Sequence, residues 1–96
     1  MSFYLTAFVK SKPGKSELLR AQLENLVRHS KQETACLQYD LHQSVEDPDV
    51  FIFYEEWENQ DGLDLHNQSA YITDFVALAP ELIVGQIDIY KTARIA

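Results

Sequence analysis

The chain has 96 residues, 46% of them apolar, which suits one compact domain and leaves no room for separate cofactor and substrate domains. Fifteen acidic against eight basic side chains give a net charge of -7, so phosphate backbones and anionic lipid surfaces are repelled, and neither nucleic acid nor a membrane is expected as a partner. The single cysteine, Cys36, has no second thiol for a disulfide or a metal site and reads as a buried structural group.

From Phe3 to Val9 the side chains alternate, Phe3, Leu5, Ala7 and Val9 against Tyr4, Thr6 and Phe8. Period two predicts a strand, and because both sets are apolar or aromatic, both of its faces need a cover. Lys12-Pro13-Gly14-Lys15 ends the strand, with Pro13 suited to a first helical turn. Leu19, Leu23, Leu26 and Val27 then repeat at helical spacing, with Glu17, Arg20, Glu24 and Arg28 on the solvent side and an end near Lys31.

Leu37, Tyr39 and Leu41 alternate with Cys36, Gln38, Asp40 and His42 between Ala35 and Ser44. Phe51, Phe53, Glu55 and Trp57 alternate with Ile52 and Tyr54 between Val50 and Trp57. These are two strands, joined as a hairpin by the turn residues Glu46-Asp47-Pro48-Asp49. Asn59 is placed to cap a short helix through Leu63 and His66, and Ser69 to cap a second segment with Ile72, Phe75, Val76 and Ala79 on one face, stopped by Pro80. Leu82 to Lys91 alternates again and reads as the last strand.

The order is βαββαβ, a ferredoxin-like α+β arrangement with a four-stranded antiparallel sheet and helices on one face. The aromatic second face is then a large apolar patch unless a copy of the sheet closes over it, so a homodimer is expected. The amino terminus carries no basic region ahead of an apolar stretch, and no run of about 18 apolar residues is present, so a cytoplasmic location is expected.

Little conventional catalytic hardware is visible. Gly14, Gly62 and Gly85 stand apart and form no phosphate-cradling loop, and His29, His42 and His66 lack partners at metal-ligand spacing, so neither a built-in flavin or nicotinamide nor a metal is expected. Leu63 and His66 share a helical face, which turns His66 toward the sheet face that carries Phe51, Phe53, Glu55 and Trp57. An imidazole and an aromatic wall are expected to line one cavity.

Lys12-Pro13-Gly14-Lys15, Cys36-Leu37-x-Tyr39-x-Leu41, Asp47-Pro48-x-x-Phe51-x-x-x-Glu55-x-Trp57 and His66 follow one another in a pattern that resembles the antibiotic biosynthesis monooxygenase family, over Phe3 to about Tyr90. The resemblance implies dimeric α+β barrels and oxidation of quinol- or polyphenol-type aromatics by dioxygen without a cofactor. It implies His66 as general base or hydrogen-bond partner, Trp57 packed on the substrate ring, and Tyr39, Tyr71, Phe75 and Glu55 in the cavity wall. Haem-degrading relatives use an asparagine on the first strand, and the position nearest to it by spacing here is Ala7, which speaks against haem.

Plainer readings stand beside these. His66 can bond a carboxylate such as Glu55 and tie helix to sheet; Trp57 can fill a core or a dimer contact; Tyr39, Tyr71 and Phe75 can be core; and Lys12 and Lys15 can be solvated rather than attracting an anion. Two other functions fit the fold: a non-oxidative isomerase of a small phosphorylated metabolite, and a binding or stress-response module with no chemistry.

Overall fold

Alternation in the first strand decides which side of the sheet is inside. In β1 (Phe3–Lys10) Leu5, Ala7 and Val9 are buried, while Tyr4, Thr6 and Phe8 stand on the opposite face with more access to solvent. The structure, a computed structural model describing residues 1–96, continues with α1 (Ser16–Ser30), β2 (Cys36–Gln43), β3 (Val50–Trp57), α2 (Gln60–Gln68), α3 (Ala70–Leu82) and β4 (Asp88–Thr92). All strand pairs are antiparallel in the order β2-β3-β1-β4, which is the ferredoxin-like α+β fold with its second helix in two pieces.

The inner face is assembled by register. Phe51, Phe53, Glu55 and Trp57 of β3 are buried at every second position, and Tyr39 of β2 lies directly opposite Glu55. Leu19, Leu23 and Leu26 of α1, Leu63 of α2, and Phe75, Ala79 and Leu82 of α3 close over that face. Each fully buried large side chain of this kind contributes about 1.5–3 kcal/mol. No helix is long and apolar enough to cross a membrane.

Several details differ from the sequence reading, and Cys36 is half-buried rather than buried. Pro13 lies in a turn ahead of α1 rather than in its first turn, because Gly14 adopts φ +77° before the helix begins at Ser16. A register shift between Cys36 and Gln38 displaces Leu37, which is exposed instead of sharing the Tyr39 face. α3 runs through Pro80 to Leu82: a proline in the last turn forfeits one backbone bond, and burial of Ala79, Leu82 and Ile83 holds the chain in place. β4 starts at Asp88 rather than Leu82, since Ile83 makes only an isolated bridge to Ser11 and Gly85, at φ +65°, turns the chain before the ladder resumes.

The hairpin and the α2 cap form as expected. Asp47 Oδ1 accepts from Asp49 N at 3.1 Å in the β2–β3 loop, and Asn59 Oδ1 accepts from Gly62 N at 2.8 Å. Ser69 occupies the position before α3, but its hydroxyl donates to the His66 carbonyl at 2.6 Å instead of capping the next helix.

Candidate functional site

Between the helices and the sheet lies a cavity of about 160 Å³, walled mainly by apolar side chains, among them Leu5, Ala7 and Val9 of β1, Phe53 of β3, Leu63 of α2, and Ile72 and Phe75 of α3. Its polar groups are few. Tyr39, Glu55, His66 and Asn67 are the lining residues able to hydrogen-bond through their side chains, and exposed Val76 and Ile89 mark its mouth. Apolar walls with a small number of placed polar groups are the usual form of a small-molecule site. A wider cleft of about 520 Å³ runs between α1 and β2, but it is an open surface channel lined mostly by polar and charged groups such as Arg20, Glu24, Lys31 and Asp40. Arg20 pairs there with Glu24, and Lys31 with Asp40.

Glu55 is 7% exposed and faces the cavity because β3 sends every second side chain inward. Two residues on, the Trp57 indole N–H shares its face and donates to Glu55 Oε1 at 2.8 Å. Burial pushes the Glu55 carboxyl up to about 7, with the indole bond pulling the other way. Tyr39, opposite it, has its phenol held well above the ordinary tyrosine range by burial and then by the Glu55 charge.

His66 reaches the cavity because Asn59 starts α2 in a phase that turns Leu63 and His66 to the sheet. Its ring lies 4.5 Å from the Trp57 ring and 5.5 Å from that of Tyr39, centroid to centroid. The ring is held from behind by Glu33, whose Oε2 lies 2.8 Å from His66 Nδ1 and also accepts from the Tyr71 hydroxyl. The carboxylate that ties His66 down is therefore Glu33 of the α1–β2 turn, not Glu55.

The six residues singled out from the sequence thus fall into two layers. Glu55, His66, Tyr39 and Phe75 line the cavity. Trp57, fully buried, and Tyr71 stand behind that wall, the first bonded to Glu55 and the second to Glu33. Lys12 donates to the Pro80 carbonyl at 2.7 Å, and neither it nor Lys15 reaches the cavity. Sequence reasoning missed Glu33, which sits in a polar turn with no periodicity to give it a face, and Asn67, whose place four residues after Leu63 on the same side of α2 was the signal for it. No three His, Cys, Asp or Glu side chains are grouped so as to hold a metal ion.

Fold and cavity together define a ferredoxin-like α+β domain with a largely apolar cavity between helices and sheet. The chain belongs to the antibiotic biosynthesis monooxygenase family, whose sequence profile matches residues 2–78. A protein of Bacillus subtilis (strain 168), named provisionally as the monooxygenase YcnE, is 34% identical over 88 residues, spanning 92% of this chain and 93% of the relative. The crystal structure of PA3566 from Pseudomonas aeruginosa superposes with a TM-score of 0.93 at 32% identity, over 99% of this chain and 95% of that one. A crystal structure of an antibiotic biosynthesis monooxygenase superposes with a TM-score of 0.91 at 27% identity over the whole of both chains. Family and relative are thus named for a monooxygenase-type function.

Proposed function

We propose that the protein is a monooxygenase that needs no bound cofactor and oxidises a small quinol or polyphenol-type aromatic with dioxygen. The observation that carries this reading is an apolar cavity whose ionisable acid–base groups are the His66 imidazole, the Glu55 carboxyl, which burial pushes up to about 7, and the Tyr39 phenol, held well above its ordinary range. A cavity of about 150 Å³ admits a benzene-sized ring, so the space of about 160 Å³ suits a one-ring substrate, with any further ring at the Val76–Ile89 mouth.

The chemistry asked of the protein is modest. A proton leaves a substrate hydroxyl for His66 Nε2, which has no protein partner, while a second substrate hydroxyl is held by Glu55. The resulting electron-rich anion passes an electron to dioxygen. Recombination forms a carbon–oxygen bond at a ring C–H position. Loss of water then breaks the oxygen–oxygen bond and leaves a carbonyl, so a hydroquinone and dioxygen become a hydroxyquinone and water with no outside reductant. Phe75, Phe53 and the aliphatic wall hold the ring and keep bulk water from the anion.

The cavity wall contains no lysine or arginine, so a phosphorylated metabolite lacks a counter-charge there, which disfavours the isomerase alternative. The same reading includes a homodimer: Phe8, Ile52, Tyr54 and Tyr90 lie as neighbours on the outer sheet face, and a second copy offers a matching apolar surface.

The test is oxygen uptake with a panel of freshly reduced one- and two-ring hydroquinones, run with oxygen-18 gas. Catalysis above autoxidation with one labelled atom in the product, abolished in His66→Ala, is expected. Uptake no faster than autoxidation across the panel refutes the reading.

A further inference from the structure

Glu33 lies outside the cavity, yet its side chain governs the one imidazole inside it. The turn after α1 presents it rigidly, with its backbone N–H donating to the Ser30 carbonyl at 3.0 Å and its carbonyl accepting from Cys36 N at 3.1 Å. The carboxylate reaches His66 Nδ1 at 2.8 Å, and the Tyr71 hydroxyl donates to the same oxygen. Tyr71 is itself fixed by its stacking on His29, with ring centroids 4.9 Å apart and planes 23° from parallel. The His66 side chain is 5% exposed and the Glu33 side chain 23%, so the carboxylate keeps contact with water while the ring it holds is enclosed.

A carboxylate only accepts hydrogen bonds, so the proton in its contact with Nδ1 belongs to the ring. A neutral imidazole with its proton on Nδ1 has its lone pair on Nε2. That atom makes no hydrogen bond to the protein and is not sealed off from solvent space, since the Ser30 hydroxyl is the one buried side-chain polar atom left without a partner. The ring cannot easily turn over to exchange its nitrogens, because Trp57 packs against it at 4.5 Å and Tyr39 at 5.5 Å.

We propose that Glu33 is a positioning residue that locks His66 in the Nδ1–H tautomer and aims its basic Nε2 into the cavity. The inference rests on the reading that His66 accepts the substrate proton. In that step the substrate O–H bond breaks with its electron pair left on oxygen, the proton goes to Nε2, and Glu33 faces the imidazolium so formed across the ring. Glu33 never meets the substrate. A carboxylate that orients and stabilises a proton-accepting histidine from behind is a recurring physical solution to the tautomer problem.

The experiment reads the nitrogen-15 shifts of His66 by long-range proton–nitrogen correlation in wild type, Glu33→Gln and Glu33→Asp, alongside steady-state oxidation of the best hydroquinone of the panel. Wild type should show protonated Nδ1 and bare Nε2. In Glu33→Gln an amide can donate to Nδ1, so the shifts should move toward the other tautomer and kcat should fall by roughly 10²-fold or more, with KM changing by less than about threefold. Glu33→Asp keeps an acceptor in place and should recover part of both signals.

A wild-type His66 protonated on Nε2, or shifts that do not respond to Glu33→Gln, overturns the proposal. Should Glu33→Gln fail to fold, Tyr71→Phe leaves the Glu33–His66 contact intact; it must retain the Nδ1–H form, and an Nε2–H form there is equally fatal. If the tautomer depends on Glu33 but no hydroquinone is oxidised, the positioning role stands and the monooxygenase reading falls.

Discussion

Replacing Glu55 by glutamine isolates the cost of keeping a carboxyl in an apolar cavity. The folded-state value of about 7 lies above the ordinary 4.5, so the folded chain binds this proton more tightly than the unfolded one. A group shifted in this direction contributes its full stability below about pH 4.5 and loses it as pH rises through about 7. The shift spans about 2.5 units at about 1.4 kcal/mol each, so ionised Glu55 costs the fold about 3 kcal/mol at pH 9 and almost nothing at pH 4. Glutamine has nearly the same shape, its amide oxygen can still accept from Trp57, and it carries no charge at any pH. Urea unfolding of wild type and Glu55→Gln at pH 4, 6 and 9 measures the difference directly, because every other titrating group cancels between the two proteins. The variant should match wild type at pH 4 and exceed it by up to about 3 kcal/mol at pH 9, a midpoint shift of about 1–3 M. Water entering at the cavity mouth lowers the figure, which makes it a ceiling. A stability difference that stays constant across this range refutes the account of Glu55 as a desolvated acid.

Trp57→Phe removes the one donor that lowers the Glu55 value; carbon-13 titration of the Glu55 carboxyl should then give a midpoint above that of wild type, and an unchanged midpoint means the indole bond is immaterial. Gly62→Ala should destabilise by about 1–3 kcal/mol, although alanine is ordinarily better than glycine inside a helix, because the new Cβ would sit 2.1 Å from Ala35 Cβ. The same change presses on the turn that carries Glu33, so oxidation should slow as well, and a gain in thermal stability contradicts the close packing of α2 on that turn. Phe8→Glu places a charge at the centre of the outer sheet face, and light scattering should find a dimer for wild type and a monomer for the variant; a monomeric wild type removes the homodimer from the proposal.

Period-two alternation in β1 and β3 and the Leu19–Leu23–Leu26 stripe of α1 specify their own elements, since each needs only neighbours within the same segment to show which face is buried. Turn chemistry at Asp47 and the cap at Asn59 are likewise local and legible. The stretch from Leu82 to Ile87 alternates like a strand but is not one, because the choice between helix end, isolated bridge and ladder is made by Ser11 and by the turn at Gly85. The candidate site divides the same way. That His66 and Glu55 face inward follows from helical and strand phase, which the sequence alone determines. Which carboxylate meets His66 was decided only in three dimensions, where the end of α1, the turn after it, α2 and α3 converge and bring Glu33 across 33 positions of chain. Periodicity reports the direction of a side chain, whereas a partnership between a turn and a helix depends on how separate elements pack.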